Sequence, residues 1–178
     1  MTPQAAVGTG LGGLAAAGAG GTAVAYAAGA FNKVDEETTY ANFGEYAKKI
    51  GLTYIGNIGD EEANSIKKLL DEDKTGNANG YRDKLKSRWD SIVETSLNGK
   101  DNVTVTKPTN VKDKLVTGDE LSESENISKF TKAWCELKKD KSPSEGQQWT
   151  ENTLKADEDW KTFKEVCVFS GSNTAVQS

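Results

Sequence analysis

Apolar residues return every three or four positions in four stretches between Asp60 and Cys167, the period of an amphipathic helix. The first runs from Asp60 to Asp73, with Ala63, Ile66, Leu69 and Leu70 on one face and Asp60 as the expected N-cap. The second carries Tyr81, Leu85, Trp89, Ile92, Val93 and Leu97 as a continuous stripe, with Gly99 as its stop. The third begins near Leu121, where Ser122 and Glu125 have capping-box spacing, and continues through Ile127, Phe130, Trp134 and Leu137. The fourth sets Trp149, Thr153, Ala156, Trp160, Phe163 and Cys167 along one face. Pro143 and Gly146 keep the last two helices apart. Aromatic stripes at this spacing are expected to be core, because burying each large ring removes much apolar area from water.

Between the second and third stretches, Val103 and Val105 alternate in strand fashion until Pro108 interrupts, giving a short edge strand or an extended loop. Residues 39–50 read as a loose helix, the glycine-punctuated residues after them as loop, and the last eight, 171–178, as a disordered tail. The expected fold is mainly α: an N-terminal Gly/Ala-rich membrane helix, then a small helical bundle-like domain with room for one short strand. The corresponding divisions are 1–32 for the membrane anchor or signal segment, 33–170 for the helical ectodomain and 171–178 for the tail.

The N-terminal stretch contains Gly8, Gly10 and Gly13 in G-x-G-x-x-G spacing. A dinucleotide site needs a buried strand feeding that turn and a helix leaving it, and the short alanine-rich run before Gly8 makes no such strand. A P-loop fails as well, since Gly21 is followed by Thr22 rather than lysine. Lipid explains the whole stretch better. Lys33 is the first residue with a charged side chain, and Ala5 to Phe31 is long enough, as a helix, to cross a hydrocarbon core of about 30 Å. Its strongly apolar residues are few, but Gly8 with Gly12 and Gly13 with Ala17 would let helices approach closely in lipid. The alternative is a signal peptide cleaved near Ala28, although no basic n-region precedes it. Both of these readings target a membrane, a disordered Gly/Ala tail being the third, and the C-terminal part is expected outside the cell.

Charge narrows the partners. The net charge is −5, only Arg82 and Arg88 of the 22 basic residues are arginine, and no basic stripe alternates with aromatics. A nucleic-acid partner is therefore not expected. The chain has no histidine, which removes the commonest general base, the commonest zinc ligand and every Ser-His or Cys-His pair. The acids Glu61, Glu62, Asp157, Glu158 and Asp159 are expected to be solvated helix starts rather than a catalytic pair. No catalytic, cofactor or metal residue is assigned, and no enzymatic activity is expected.

Cys135 and Cys167 are the only cysteines. If they are bonded, the loop of about 32 residues would contribute about 3–4 kcal/mol by chain entropy. The other reading is two buried thiols, and a redox site lacks its C-x-x-C pair. Asp71, Asp73, Thr75 and Gly76 match positions 1, 3, 5 and 6 of a calcium loop, but Arg82 stands at position 12, where a bidentate glutamate belongs. That loop is expected to be a plain turn. Asn102 and Asn126 head N-x-S/T tripeptides and are read as chance matches.

Together with the uncharged Gly/Ala leader and the lysine-rich body, "KAWCELKKD" around Trp134–Cys135 and "DWKTFKEVCV" ending near Cys167 resemble the large paralogous sets of uncharacterised membrane or surface proteins of haemotropic mycoplasmas. Many of those carry Trp directly before the second cysteine, where this chain has Val166. The resemblance implies a lineage-specific surface protein held by membrane lipid, with a host surface protein as partner or an antigenic role. The alternative is a secreted module that binds a small ligand or peptide after signal cleavage. No pattern in the chain sets an oligomeric state.

Overall fold

The computed structural model describes residues 37–74, 79–99, 103–116 and 120–170. The expected membrane segment from Ala5 to Phe31, with its glycine motif and cleavage region, lies outside them, as does the tail 171–178. In chain order the elements are β1 (Thr39–Tyr40), α1 (Phe43–Lys49), β2 (Leu52–Tyr54), α2 (Ile66–Glu72), α3 (Tyr81–Arg88), a 3-10 turn (Trp89–Ser91), β3 (Ser96–Asn98), β4 (Thr104–Thr106), α4 (Val111–Lys114), α5 (Ser124–Lys139), β5 (Trp149–Thr150), α6 (Glu151–Ala156), α7 (Glu158–Val166) and β6 (Val168–Ser170).

The expected mainly α fold is thereby overturned. Among the described residues, 48% are helical and 14% are strand, and the six strands form three small antiparallel sheets. No helix among the described residues is long and apolar enough to cross a membrane. β1 pairs with β5, β2 with β6, and β3 with β4. The first two pairs join segments more than a hundred residues apart, Thr39 facing Thr150 and Tyr54 facing Val168.

The starts of α1, α2, α6 and α7 are set by side chains that accept from backbone N–H groups. Asn42 accepts from the Glu45 amide at 2.8 Å, so residues 39–50 divide into a strand and a capped helix. Gly51, at φ +76°, then reverses the chain into β2. Ser65, rather than Asp60, caps α2 by accepting from Lys68, while its hydroxyl donates to the Asp60 carbonyl. α5 starts at Ser124 without the Ser122–Glu125 capping box, and Leu137 of its expected stripe is half exposed.

The fourth periodic stretch is not one helix. Trp149 is in β5, Thr150 and Thr153 form a reciprocal capping box, and Asp157 ends α6 and caps α7 at once by accepting from Trp160. Leu154 fills the core there, while Thr153 and Ala156 face solvent. The second stretch also breaks. After the 3-10 turn Ile92 is extended and buried, Val93 is exposed and Leu97 lies in β3. The stop comes from Lys107, whose ammonium donates to the Trp89 carbonyl at 2.9 Å and to the Ile92 carbonyl. Of the strand and loop readings open to Val105, the structure has the strand, and its partner Leu97 comes from the stretch whose period implied a helix.

All four tryptophans are buried. Phe43, Tyr46, Trp160 and Phe163 form an aromatic centre, with ring centroids 5.4 Å apart for Phe43–Trp160 and 4.8 Å for Tyr46–Trp160. Trp89 and Phe130 meet at 5.8 Å on the α3–α5 side.

Candidate functional site

Cys135 follows Trp134 on the inner face of α5, and Cys167 is the residue on which α7 ends. The turn after Lys139, with β5 and α6, brings α7 back along α5. The two sulfurs lie at disulfide distance, the Cα atoms are 5.5 Å apart and both residues are fully buried. Two hydrogen bonds also hold the end of α7. The Ile55 amide donates to the Cys167 carbonyl at 2.9 Å, and the Tyr81 hydroxyl donates to the Val166 carbonyl at 2.8 Å. Gly56 lies so close that a Cβ there would be 3.0 Å from the Cys135 Cβ and would run into the Tyr54 hydroxyl.

A polar frame borders this junction. Tyr54 donates to Glu136 at 2.8 Å, and the Lys139 ammonium sits 5.3 Å from its ring centre. Burial, then the Glu136 carboxylate, push the Tyr54 phenol well up. Lys138 lies between Glu94 at 2.7 Å and Asp159 at 2.8 Å, over the Trp134 ring, whose Nε1 donates to Glu94 at 2.8 Å. Burial alone would raise both carboxylates. The charge and hydrogen bonds of Lys138, joined at Glu94 by a backbone amide and the Trp134 N–H and at Asp159 by Lys141, together outweigh it and hold both below the ordinary range. A general acid at neutral pH needs the opposite shift, so this geometry suits an ion-paired strut. The remaining acids singled out in the sequence are similarly placed: Asp157 caps α7, Glu158 faces Lys161 and Arg88, Glu61 faces Lys68, and Glu62 accepts from the Gly59 amide.

The calcium-like loop has committed its carboxylates elsewhere. Asp71 pairs with Lys67 at 2.7 Å. Asp73, fully buried, accepts from the amides of Asn79, Gly80 and Arg82 at 3.1, 3.3 and 2.7 Å. Arg82 turns inward, donating from Nε to the Leu70 carbonyl and from Nη1 to the Val116 carbonyl. Thr75 and Gly76 lie outside the described residues. Among the described residues no group of three Cys, His, Asp or Glu side chains could hold a metal ion. Of the two N-x-S/T tripeptides, Asn102 lies outside the described residues, whereas Asn126 is exposed on α5 above a fully buried Ser128.

Two open concavities flank the β3–β4 hairpin. One, of about 510 Å³, is lined by Leu97, Thr104, Ala133, Glu136 and Leu137 among others. The other, of about 470 Å³, lies over Thr106, Lys107, Pro108, Lys114 and Lys129. Sequence reasoning singled out Cys135 and Cys167 with the bonded and free states both open, and took Asp73 as a calcium-loop position; it missed Glu94 and Lys107. Glu94 acts on partners from α5 and Lys107 on carbonyls ahead of β3, and neither stands in a recognisable local motif. Comparisons with protein-family models, with curated proteins and with solved structures find no match.

Proposed function

We propose that this chain is a membrane-anchored surface protein without enzymatic activity, whose domain faces outside the cell and contacts a host surface protein or presents antigenic surface. The observation that carries this reading is the cysteine pair, fully buried at disulfide distance between α5 and the end of α7. Such a bond persists in an oxidising compartment and is rare in a reducing one. The uncharged run that precedes Lys33 supports delivery to lipid. The lack of histidine and the ion-paired state of Glu94 and Asp159 support a role other than catalysis.

Protease shaving of intact cells is the test, with immunogold labelling beside it and non-reducing mass spectrometry of the recovered protein. Digestion of the domain, label on unpermeabilised cells and a mass without free thiols are expected. An intact domain on shaved cells, or two free thiols in protein taken directly from cells, would overturn the reading. A mature N-terminus near Ala28 would replace the anchored form with a secreted one.

A further inference from the structure

The chain holds two Asn-Gly dipeptides, Asn79–Gly80 and Asn98–Gly99. Glycine has no Cβ to shield its amide nitrogen, so in this dipeptide that nitrogen can reach the side-chain carbonyl carbon of the asparagine before it. Both asparagines are exposed, so exposure does not separate them. Their hydrogen bonds do. The Asn79 amide is clamped at both ends: Nδ2 donates to the Leu69 carbonyl at 2.9 Å and Oδ1 accepts from the Tyr81 amide at 2.8 Å. The Gly80 nitrogen, which would have to attack, donates to the buried Asp73 carboxylate at 3.3 Å. An amide aimed at an anion gives up its proton least readily. Asn98, the last residue of β3, is differently placed. Its side chain makes no hydrogen bond among the described residues, and it lines the concavity of about 510 Å³ with Thr104 and Glu136, where its amide has room to turn. The Gly99 nitrogen is held by one bond, to the neutral Val103 carbonyl at 2.8 Å, at the end of a two-stranded pair of three residues each. Hydrogen bonds at the ends of such short pairs open most easily.

We propose that Asn98 is a site of spontaneous covalent modification, deamidation through a succinimide, and that the fold protects Asn79 from the same reaction. The Gly99 nitrogen loses its proton and bonds to the Asn98 side-chain carbonyl carbon, and Nδ2 takes up a proton and leaves as ammonia. Water then opens the five-membered ring at one or the other carbonyl, giving isoaspartate or aspartate at position 98, with no oxidant, enzyme or cofactor. Both products set a carboxylate in place of a neutral amide beside Glu136 on the concavity. Isoaspartate also lengthens the backbone by one carbon where Asn98 faces Thr104, which disturbs the β3–β4 pairing.

Peptide mapping of the full chain, incubated natively in mildly alkaline buffer and in parallel in guanidinium chloride, tests this. Trypsin releases Asn98 in peptide 89–100 and Asn79 in peptide 75–82. Mass spectrometry with fragmentation then follows the amide-to-acid conversion at each position, and chromatography separates aspartate from isoaspartate. In the native protein Asn98 is expected to convert at least about tenfold faster than Asn79, because only Asn79 must wait for its clamp to open. In denaturant, where neither fold contact survives, the two rates should come within about threefold of each other. Asn98→Gln should abolish conversion in peptide 89–100, since the longer side chain would need a six-membered ring. Equal native rates, or a faster Asn79, would overturn the proposal. So would a tenfold preference that persists in denaturant, which would place its cause in the neighbouring residues rather than in the fold.

Discussion

Replacing both cysteines with alanine tests how this small domain holds its last helix and strand. The bond spans a sequence separation of 32 residues. Removing it restores conformational freedom to the unfolded chain equivalent to about 3.7 kcal/mol. The two missing sulfurs leave small cavities that add about 1 kcal/mol, since both sites are fully buried. The sum, between about 4 and 5 kcal/mol, is a large part of the 5–15 kcal/mol typical of a folded domain. With a urea slope of about 2 kcal/mol per molar, the unfolding midpoint of the C135A/C167A double variant should fall by about 2 M. The slope itself should rise, because the uncrosslinked unfolded chain exposes more surface. Urea titration followed by tryptophan fluorescence reads both quantities, as all four tryptophans are buried. A midpoint lowered by less than about 0.5 M, with the slope unchanged, would refute the loop-closure argument.

Asp73→Ala removes the acceptor for three backbone amides in a fully buried place, and should cost about 2–4 kcal/mol, read as a Tm lowered by about 6–15 °C. The same geometry predicts that millimolar calcium leaves the wild-type Tm unchanged, and a rise of several degrees would contradict it. Glu94 and Asp159 lie below their ordinary values of 4.5 and 3.8 in the fold, so the stability they confer is full above that range and is lost as pH falls through it. The wild-type urea midpoint should therefore drop below about pH 4.5, and Lys138→Met, less stable at pH 7, should show a flatter acid limb. Parallel limbs would mean that Lys138 does not hold these carboxylates. Asp157→Ala should cost about 1–2 kcal/mol through the lost cap of α7 and the lost partner of Lys141, measured by urea titration.

What the sequence determined by itself is local. The stripes at Ile66–Leu70, Tyr81–Leu85, Ile127–Trp134 and Trp160–Phe163 are helical and buried as their period implies, because contacts at three and four residues lie within one helix. Composition alone supplied the lack of histidine and the tryptophan-rich core. Continuity of helices was another matter. Periodicity ran straight through Asp157, and through Trp89 into Leu97, while the chain breaks at both places. At the first, a carboxylate competes for the Trp160 amide; at the second, Lys107 arrives from beyond the hairpin to cap the carbonyls.

Only the tertiary structure decided the strands and the polar junctions. β1, β2, β5 and β6 have two or three residues each, too few to show an alternation, and their partners lie more than a hundred residues away. The approach of Cys135 to Cys167 likewise depends on α6 and the preceding turn returning α7 against α5. The clasp of Lys138 by Glu94 and Asp159 depends on three separate segments meeting. A helix declares itself through neighbours in the chain. A two-residue strand or a buried ion pair exists only where distant segments meet, and that meeting is a property of the packed core as a whole.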